Sequence, residues 1–218
     1  MVLMELLKRF CRIMIIPIYK EDRGDTMGRK NVYILLTDTG TVLNRLIKFY
    51  TKQPYNHASI GFDINLSEVY SFGRKTASNP FVAGFAKEDI KENLFRQAGC
   101  AIYSLVVTEE QWARMNRFIR DIEAREEEYR YNLFGLVGVM LRKPINRRNA
   151  FFCSQFVAYV LKECNIFQFD RPISLVAPND FLEIPELKLI YQGQLSDYPN
   201  QEMNEKIVKS VPFITIDM

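Results

Sequence analysis

The sequence predicts a single domain of the α+β class. Short apolar runs that are typical of strands occupy the first half of the chain, and amphipathic helix patterns dominate the second half. The 218 residues contain no linker rich in Pro, Gly or Ser, and hydrophobic residues make up 48% and charged residues 25%. This composition excludes a disordered chain, a collagen-like repeat and a protein with several membrane spans. We assign residues 31–218 to the domain and residues 1–30 to an N-terminal extension.

The first half of the domain is predicted to be mainly strands. Val32–Thr37 is a β-prone run, and apolar residues then recur at helical spacing over residues 41–50. His57–Phe62 and Glu68–Phe72 are short strand candidates joined by a turn-rich segment, which indicates an antiparallel hairpin. A loop follows. Cys100–Val107 is a continuous apolar run, which is typical of a strand buried on both faces.

The second half contains the stronger helix signals. Thr108 and Gln111 have the spacing of a capping box, which predicts that a helix starts there. Leu133–Leu141 fits either a short helix or a strand, and both interpretations stay open. Phe151–Glu163 is predicted to be a helix, because its apolar residues share one stripe. Scattered prolines then indicate an irregular segment, and Leu187–Gln192 is predicted to be an edge strand.

The N-terminal segment Met1–Ile18 is apolar and basic, but charged residues interrupt it. It therefore fits neither a membrane span nor a signal peptide. Three interpretations stay open: an amphipathic helix packed on the domain, which we favour, a weakly bound membrane-surface helix, or an extension upstream of a true start at Met27. We expect a cytoplasmic protein, since the cysteines are widely spaced and suggest reduced thiols rather than disulfides. The net charge of +3 is too small to indicate a nucleic-acid partner.

Cys153 is the first candidate for chemistry. Polar residues precede Phe151–Glu163, so the predicted helix starts within a residue or two of this cysteine. The N-terminus of a helix favours the thiolate, which is the nucleophilic form of cysteine. Cys153 also shares an apolar stripe with Phe156 and Val157. On position alone, a small core residue is the favoured interpretation and a nucleophile is the alternative. The other cysteines (Cys11, Cys100 and Cys164) have no comparable position.

His57 is the only histidine in the chain, so any mechanism that needs an imidazole must use it. It begins a predicted strand after a turn at Pro54-Tyr55, although a lone histidine is more often structural or exposed. One histidine and scattered cysteines give no metal-ligand spacing, and we expect no cofactor. The neighbouring strand offers Ser71 or Glu68 as the group that would orient the imidazole.

The order of these motifs resembles the circularly permuted branch of the NlpC-type papain-like amidases, in which the histidine strand precedes the cysteine helix. The likeness is closest to the YiiX-like group and more distant to lecithin:retinol acyltransferase. It covers about residues 31–180 and rests on the H-x-S-I sequence at His57 and the aromatic-C-S-x-F-V sequence at Cys153. The resemblance implies that Cys153 is the nucleophile and His57 the general base, which reverses the interpretation from position alone. It places the third polar group at or near Ser71, where YiiX-like proteins tend to have Glu.

The resemblance implies a papain-like fold whose antiparallel sheet packs against the cysteine-bearing helix. It also implies a thiol hydrolase or acyltransferase that acts on an amide or ester through a thioester acyl-enzyme. The substrate would be a small-molecule, lipid or peptide acyl group. A serine at the third position orients an imidazole but does not stabilise an imidazolium as a carboxylate does. The alternative is therefore a non-catalytic module that binds a lipid or a protein on the same fold.

Overall fold

Antiparallel strands form the framework of the domain. The computed structural model describes residues 28–39, 53–74, 83–91, 95 and 97–199. Within these residues, six strands form one sheet in the order β4-β3-β2-β1-β5-β8, and every neighbouring pair is antiparallel. A further short parallel pair joins β6 to β7. The strands are β1 (Arg29–Asp38), β2 (His57–Gly61), β3 (Val69–Arg74), β4 (Ala83–Glu88), β5 (Gly99–Thr108), β6 (Arg130–Tyr131), β7 (Ala150–Phe151) and β8 (Lys188–Gln194).

Three α-helices lie within the described part of the chain: α1 (Glu109–Glu123), α2 (Leu133–Leu141) and α3 (Cys153–Glu163). The irregular segment expected after α3 contains the 3-10 turns Ile173–Leu175 and Pro178–Glu183. None of the helices in the described ranges has the length and apolar character needed to cross a membrane. The antiparallel sheet and these three helices confirm the α+β prediction.

Most of the predicted elements are present. The hairpin is confirmed by the antiparallel pairing of β2 with β3, and the capping box is confirmed by reciprocal hydrogen bonds between Thr108 and Gln111. Leu133–Leu141, which the sequence left open, is a helix. The predicted edge strand is β8, at one end of the sheet. The predicted helix over 41–50 and the segment Met1–Ile18 lie outside the described residues.

The prediction for Cys100–Val107 is wrong in part. The first half of β5 is buried on both faces, but Val106 is 44% exposed. β8 pairs with β5 only as far as Ser104, so the end of β5 has a neighbour on one side only. In this part of β5, buried and exposed residues alternate, and Leu105 and Val107 pack into the core.

The sheet separates two apolar clusters, because successive side chains of a strand point to opposite faces. On β1, Ile34 and Leu36 pack into the cluster that contains α3, whereas Tyr33 and Leu35 pack into the smaller cluster on the other face. α3 is almost entirely buried against the first face. Its core side chains are Phe156, Val157, Ala158, Val160 and Leu161.

Asn132 joins α2 to α3 through buried hydrogen bonds. Its side-chain oxygen caps α2 by accepting from the backbone N–H of Gly135 at 3.0 Å. Its amide group donates to Gln155 Oε1 and to the Ile145 carbonyl, each at 3.2 Å. Because Asn132 is fully buried, no water can replace these bonds if the side chain is truncated.

We predict that Asn132→Ala lowers the free energy of unfolding by about 2–4 kcal/mol, since it removes a helix cap and leaves buried partners unsatisfied. Thr108→Ala, at the exposed cap of α1, should cost only about 1 kcal/mol. Denaturant unfolding of both variants measures the difference. Equal costs would contradict the role given to Asn132.

Candidate active site

His57 is fixed where β2 begins. The preceding residue, Asn56, donates its backbone N–H to the Thr37 carbonyl at 3.1 Å and its side-chain amide to Asp38 Oδ1 at 2.6 Å. These bonds attach the start of β2 to the end of β1. His57 itself is 9% exposed, and the ring of Phe95 lies 6.4 Å from the imidazole between centroids. The imidazole therefore has a defined position and little contact with water.

Cys153 is the first residue of α3, and it meets His57 where β2 and β3 stop pairing. The β2–β3 register ends at Ile60–Tyr70, so Ala58 lies beyond the last pair. The imidazole and the backbone N–H groups of Ala58 and Ser154 lie near the Cys153 sulfur and lower the pKa of its thiol. The residue before the helix, Phe152, provides no side-chain cap. Backbone donors at the helix start thus surround the thiol.

Glu88, the last residue of β4, is the carboxylate partner of the imidazole. Its Oε1 lies 2.7 Å from His57 Nε2. Ser59 Oγ donates to its other oxygen at 2.5 Å, and Ser71 Oγ donates to Oε1. Because Glu88 occupies Nε2, we infer that Nδ1 is the ring nitrogen that faces the thiol. The carboxylate, imidazole and thiol therefore form a continuous chain.

The group that contacts the imidazole opposite the thiol is thus Glu88, a residue that the sequence prediction did not include. Ser71 was expected beside His57, but it donates to Glu88 instead and supports the imidazole through that carboxylate. The alternative, Glu68, lies elsewhere and is hydrogen-bonded to Lys87 and Arg120. Burial alone would raise the pKa of Glu68, but these two cations hold it below its usual value.

The sequence patterns indicated a partner only on the strand next to His57, so Glu88 was not predicted. Glu88 belongs to the following strand, in the region where the sequence predicted a loop, and its side chain reaches across β3. Gly73 lies beside the imidazole, where a Cβ atom would be 3.4 Å from His57 Cε1, an ordinary van der Waals distance. The sequence Gly84-Phe85-Ala86-Lys87-Glu88 does not alternate between apolar and polar residues, so it carries no clear strand signal.

The charges on Glu88, His57 and Cys153 stabilise one another. Burial alone would lower the pKa of His57, but the negative charges and hydrogen bonds of Glu88 and Cys153 raise it to about 10. Burial alone would raise the pKa of Glu88, but His57 and the two serine hydroxyls hold it below its usual value. The Cys153 thiol likewise has a lowered pKa: burial opposes ionisation, but the imidazole and the two backbone N–H groups outweigh it. This arrangement favours a thiolate–imidazolium pair.

The other described cysteines have the opposite character. Burial raises the pKa of Cys100 to about 12 and that of Cys164 to about 11. Cys164 also packs into the main apolar cluster, to which Cys153 does not belong. Cys11 lies outside the described residues. The described part of the chain therefore has one thiol in an ionising environment and two in apolar ones.

Neither the protein-family models nor the curated proteins include a match to this chain. The described residues contain no group of three or more His, Cys, Asp or Glu side chains that could hold a metal ion. The chemistry open to the site follows from its own side chains: a thiol that can attack, an imidazole that can carry a proton, and a carboxylate that stabilises the charged imidazole.

We predict that Glu88→Gln slows alkylation of Cys153 by iodoacetamide about tenfold or more at neutral pH. The amide keeps the size of the side chain but removes the charge that stabilises the imidazolium, so the pKa of the thiol rises. Peptide mass spectrometry after timed labelling measures the rate at each cysteine.

Glu68→Gln is the matched control, because it removes a carboxylate that does not contact His57. It should label at the wild-type rate. Ser71→Ala removes one hydrogen bond to Glu88 and should give a smaller loss than Glu88→Gln. Wild-type labelling in a folded Glu88→Gln protein would contradict the role of Glu88.

Proposed function

We propose that this protein is a papain-like thiol hydrolase or acyltransferase of the circularly permuted NlpC-type, YiiX-like branch. The observation that carries the proposal is the buried chain from Glu88 through His57 to Cys153. The resemblance places the nucleophile and base on Cys153 and His57, and these two residues are far apart in sequence but in contact. A structural cysteine does not need a polarised imidazole and a set of backbone donors around its sulfur.

The position of Glu88 also supports catalysis over a non-catalytic binding role. In the sequence, the feature that most favours a binding module is the serine where the YiiX-like pattern has Glu. Glu88 supplies that carboxylate from a different strand, and Ser71 assists it. A buried carboxylate next to the imidazole stabilises the imidazolium that forms when the thiol loses its proton.

In the proposed reaction, the Cys153 thiolate attacks the carbonyl carbon of an ester or amide. The resulting oxyanion is stabilised by the backbone N–H of Cys153 and one further donor. The C–O or C–N bond then breaks, and the His57 imidazolium gives its proton to the leaving alcohol or amine. Water, or an acceptor alcohol or amine, next attacks the thioester while His57 takes up its proton. The C–S bond then breaks, the acyl product leaves, and the Cys153 thiolate and the His57 imidazolium are restored.

We expect acylation of Cys153 to depend on pH in both directions. The thiolate–imidazolium pair forms as pH rises through the lowered pKa of Cys153, below the ordinary thiol value of 9.0. It disappears as pH rises through about 10, the pKa of His57. Rates of p-nitrophenyl ester turnover should therefore rise from acid pH, reach a plateau and fall near the pKa of the imidazole.

Activated acyl probes test the proposal without knowledge of the natural substrate. A p-nitrophenyl ester and the matching p-nitroanilide should each leave an acyl group on Cys153, detected by intact-protein and peptide mass spectrometry. Cys153→Ala should abolish the adduct, His57→Ala should slow it about a hundredfold, and Cys164→Ala should react like the wild type. Equal turnover in Cys153→Ala, or no adduct on Cys153 with either probe, would favour the binding module.

A further inference from the structure

Helix α2 exposes four of its large apolar residues to solvent. Leu133, Phe134, Val137 and Leu141 are between 45% and 63% exposed, whereas Gly135 and Gly138 are buried. At 100° of rotation for each residue, the exposed side chains lie within about 100° of the helix circumference. They form one continuous surface, which we call the α2 face.

The glycines explain why this orientation is fixed. A Cβ atom at Gly135 would lie 2.5 Å from Asn132 Nδ2, and one at Gly138 would lie 2.6 Å from the Lys143 carbonyl oxygen. The helix therefore packs closely through its small residues, and its large residues cannot rotate inward. Contiguous exposed apolar surfaces often mark interaction sites.

The stretch from Tyr129 to Lys162, which contains α2, is basic, although the exposed acidic run Glu126–Glu128 directly precedes it. No Asp or Glu occurs between Tyr129 and Lys162. The Arg147 guanidinium lies 5.6 Å from the centre of the Phe134 ring, so the basic loop after α2 contacts the apolar face itself. The exposed cations next to α2 in this stretch are Arg130, Arg142, Lys143, Arg147 and Arg148.

We propose that the α2 face and these cations bind the surface of an anionic lipid bilayer. Apolar side chains flanked by Arg and Lys have the chemistry that such a surface requires, with insertion between the headgroups and attraction to their charge. Two other candidates to cover the α2 face, the N-terminal segment and a second copy of this chain, do not complement its positive charge. The apolar segment Met1–Ile18 is itself basic, and a second copy would place like charges against one another.

The proposed surface lies beside the candidate active site. Asn132 caps α2 and is hydrogen-bonded to Gln155, two residues after Cys153. Binding of the α2 face would therefore hold the thiol close to the bilayer. The membrane inference does not depend on the thiol chemistry, because binding to vesicles is measured without turnover.

Vesicle co-sedimentation of the full chain tests the proposal. Wild type should bind phosphatidylcholine vesicles that contain phosphatidylglycerol and bind pure phosphatidylcholine weakly, and added salt should weaken binding. Phe134→Ser with Leu141→Ser should reduce affinity about tenfold or more, as should Arg147→Gln with Arg148→Gln. Cys153→Ala should bind like the wild type.

Matched controls use exposed residues elsewhere. Leu182→Ser removes an apolar side chain that is 50% exposed, and Arg117→Gln with Arg125→Gln removes two cations from α1 and its end. Both should bind like the wild type. Three results would overturn the proposal: no binding by the wild type, binding that the α2 and loop variants leave unchanged, or a dimer in solution that Phe134→Ser with Leu141→Ser converts to a monomer.

Discussion

The buried carboxylate of Glu88 is the constraint on which the candidate site depends. A charge in this position is costly unless it is paired and hydrogen-bonded, and Glu88 meets that requirement with His57, Ser59 and Ser71. The imidazole in turn holds its proton because of the negative charges around it. Since the pKa of His57 rises from 6.5 to about 10, this proton stabilises the folded state below pH 6.5, and the contribution is lost as pH rises through about 10.

The fold supplies this arrangement through a local defect in the sheet. β2 and β3 pair only near their connecting turn, and the start of α3 occupies the place where they separate. The Ala58 N–H lies beyond the last β2–β3 pair, and it helps to lower the pKa of the thiol. The site therefore combines a helix terminus with an incomplete ladder.

Local patterns in the sequence predict much of the fold. The capping box at Thr108, the apolar stripe of α3 and the single histidine can all be recognised without knowledge of tertiary structure. The carboxylate partner could not be found in this way. Glu88 lies two strands away from His57, and its position depends on the pairing of β4 with β3, in which Glu88 is opposite Val69. The sequence also does not predict which side of α2 is exposed. All residues of this helix are apolar, so the pattern does not show that the glycines form the packed side.

The most direct test of the central claim is an NMR titration of the His57 ring nitrogens, which is unambiguous because the chain contains a single histidine. The account predicts an imidazolium at neutral pH that deprotonates near pH 10. In Glu88→Gln, the pKa of the ring should fall towards or below its ordinary value of 6.5, since burial then acts with less opposition. An imidazole that is neutral at pH 7.5 in the wild type, or whose pKa does not change in Glu88→Gln, would contradict the account.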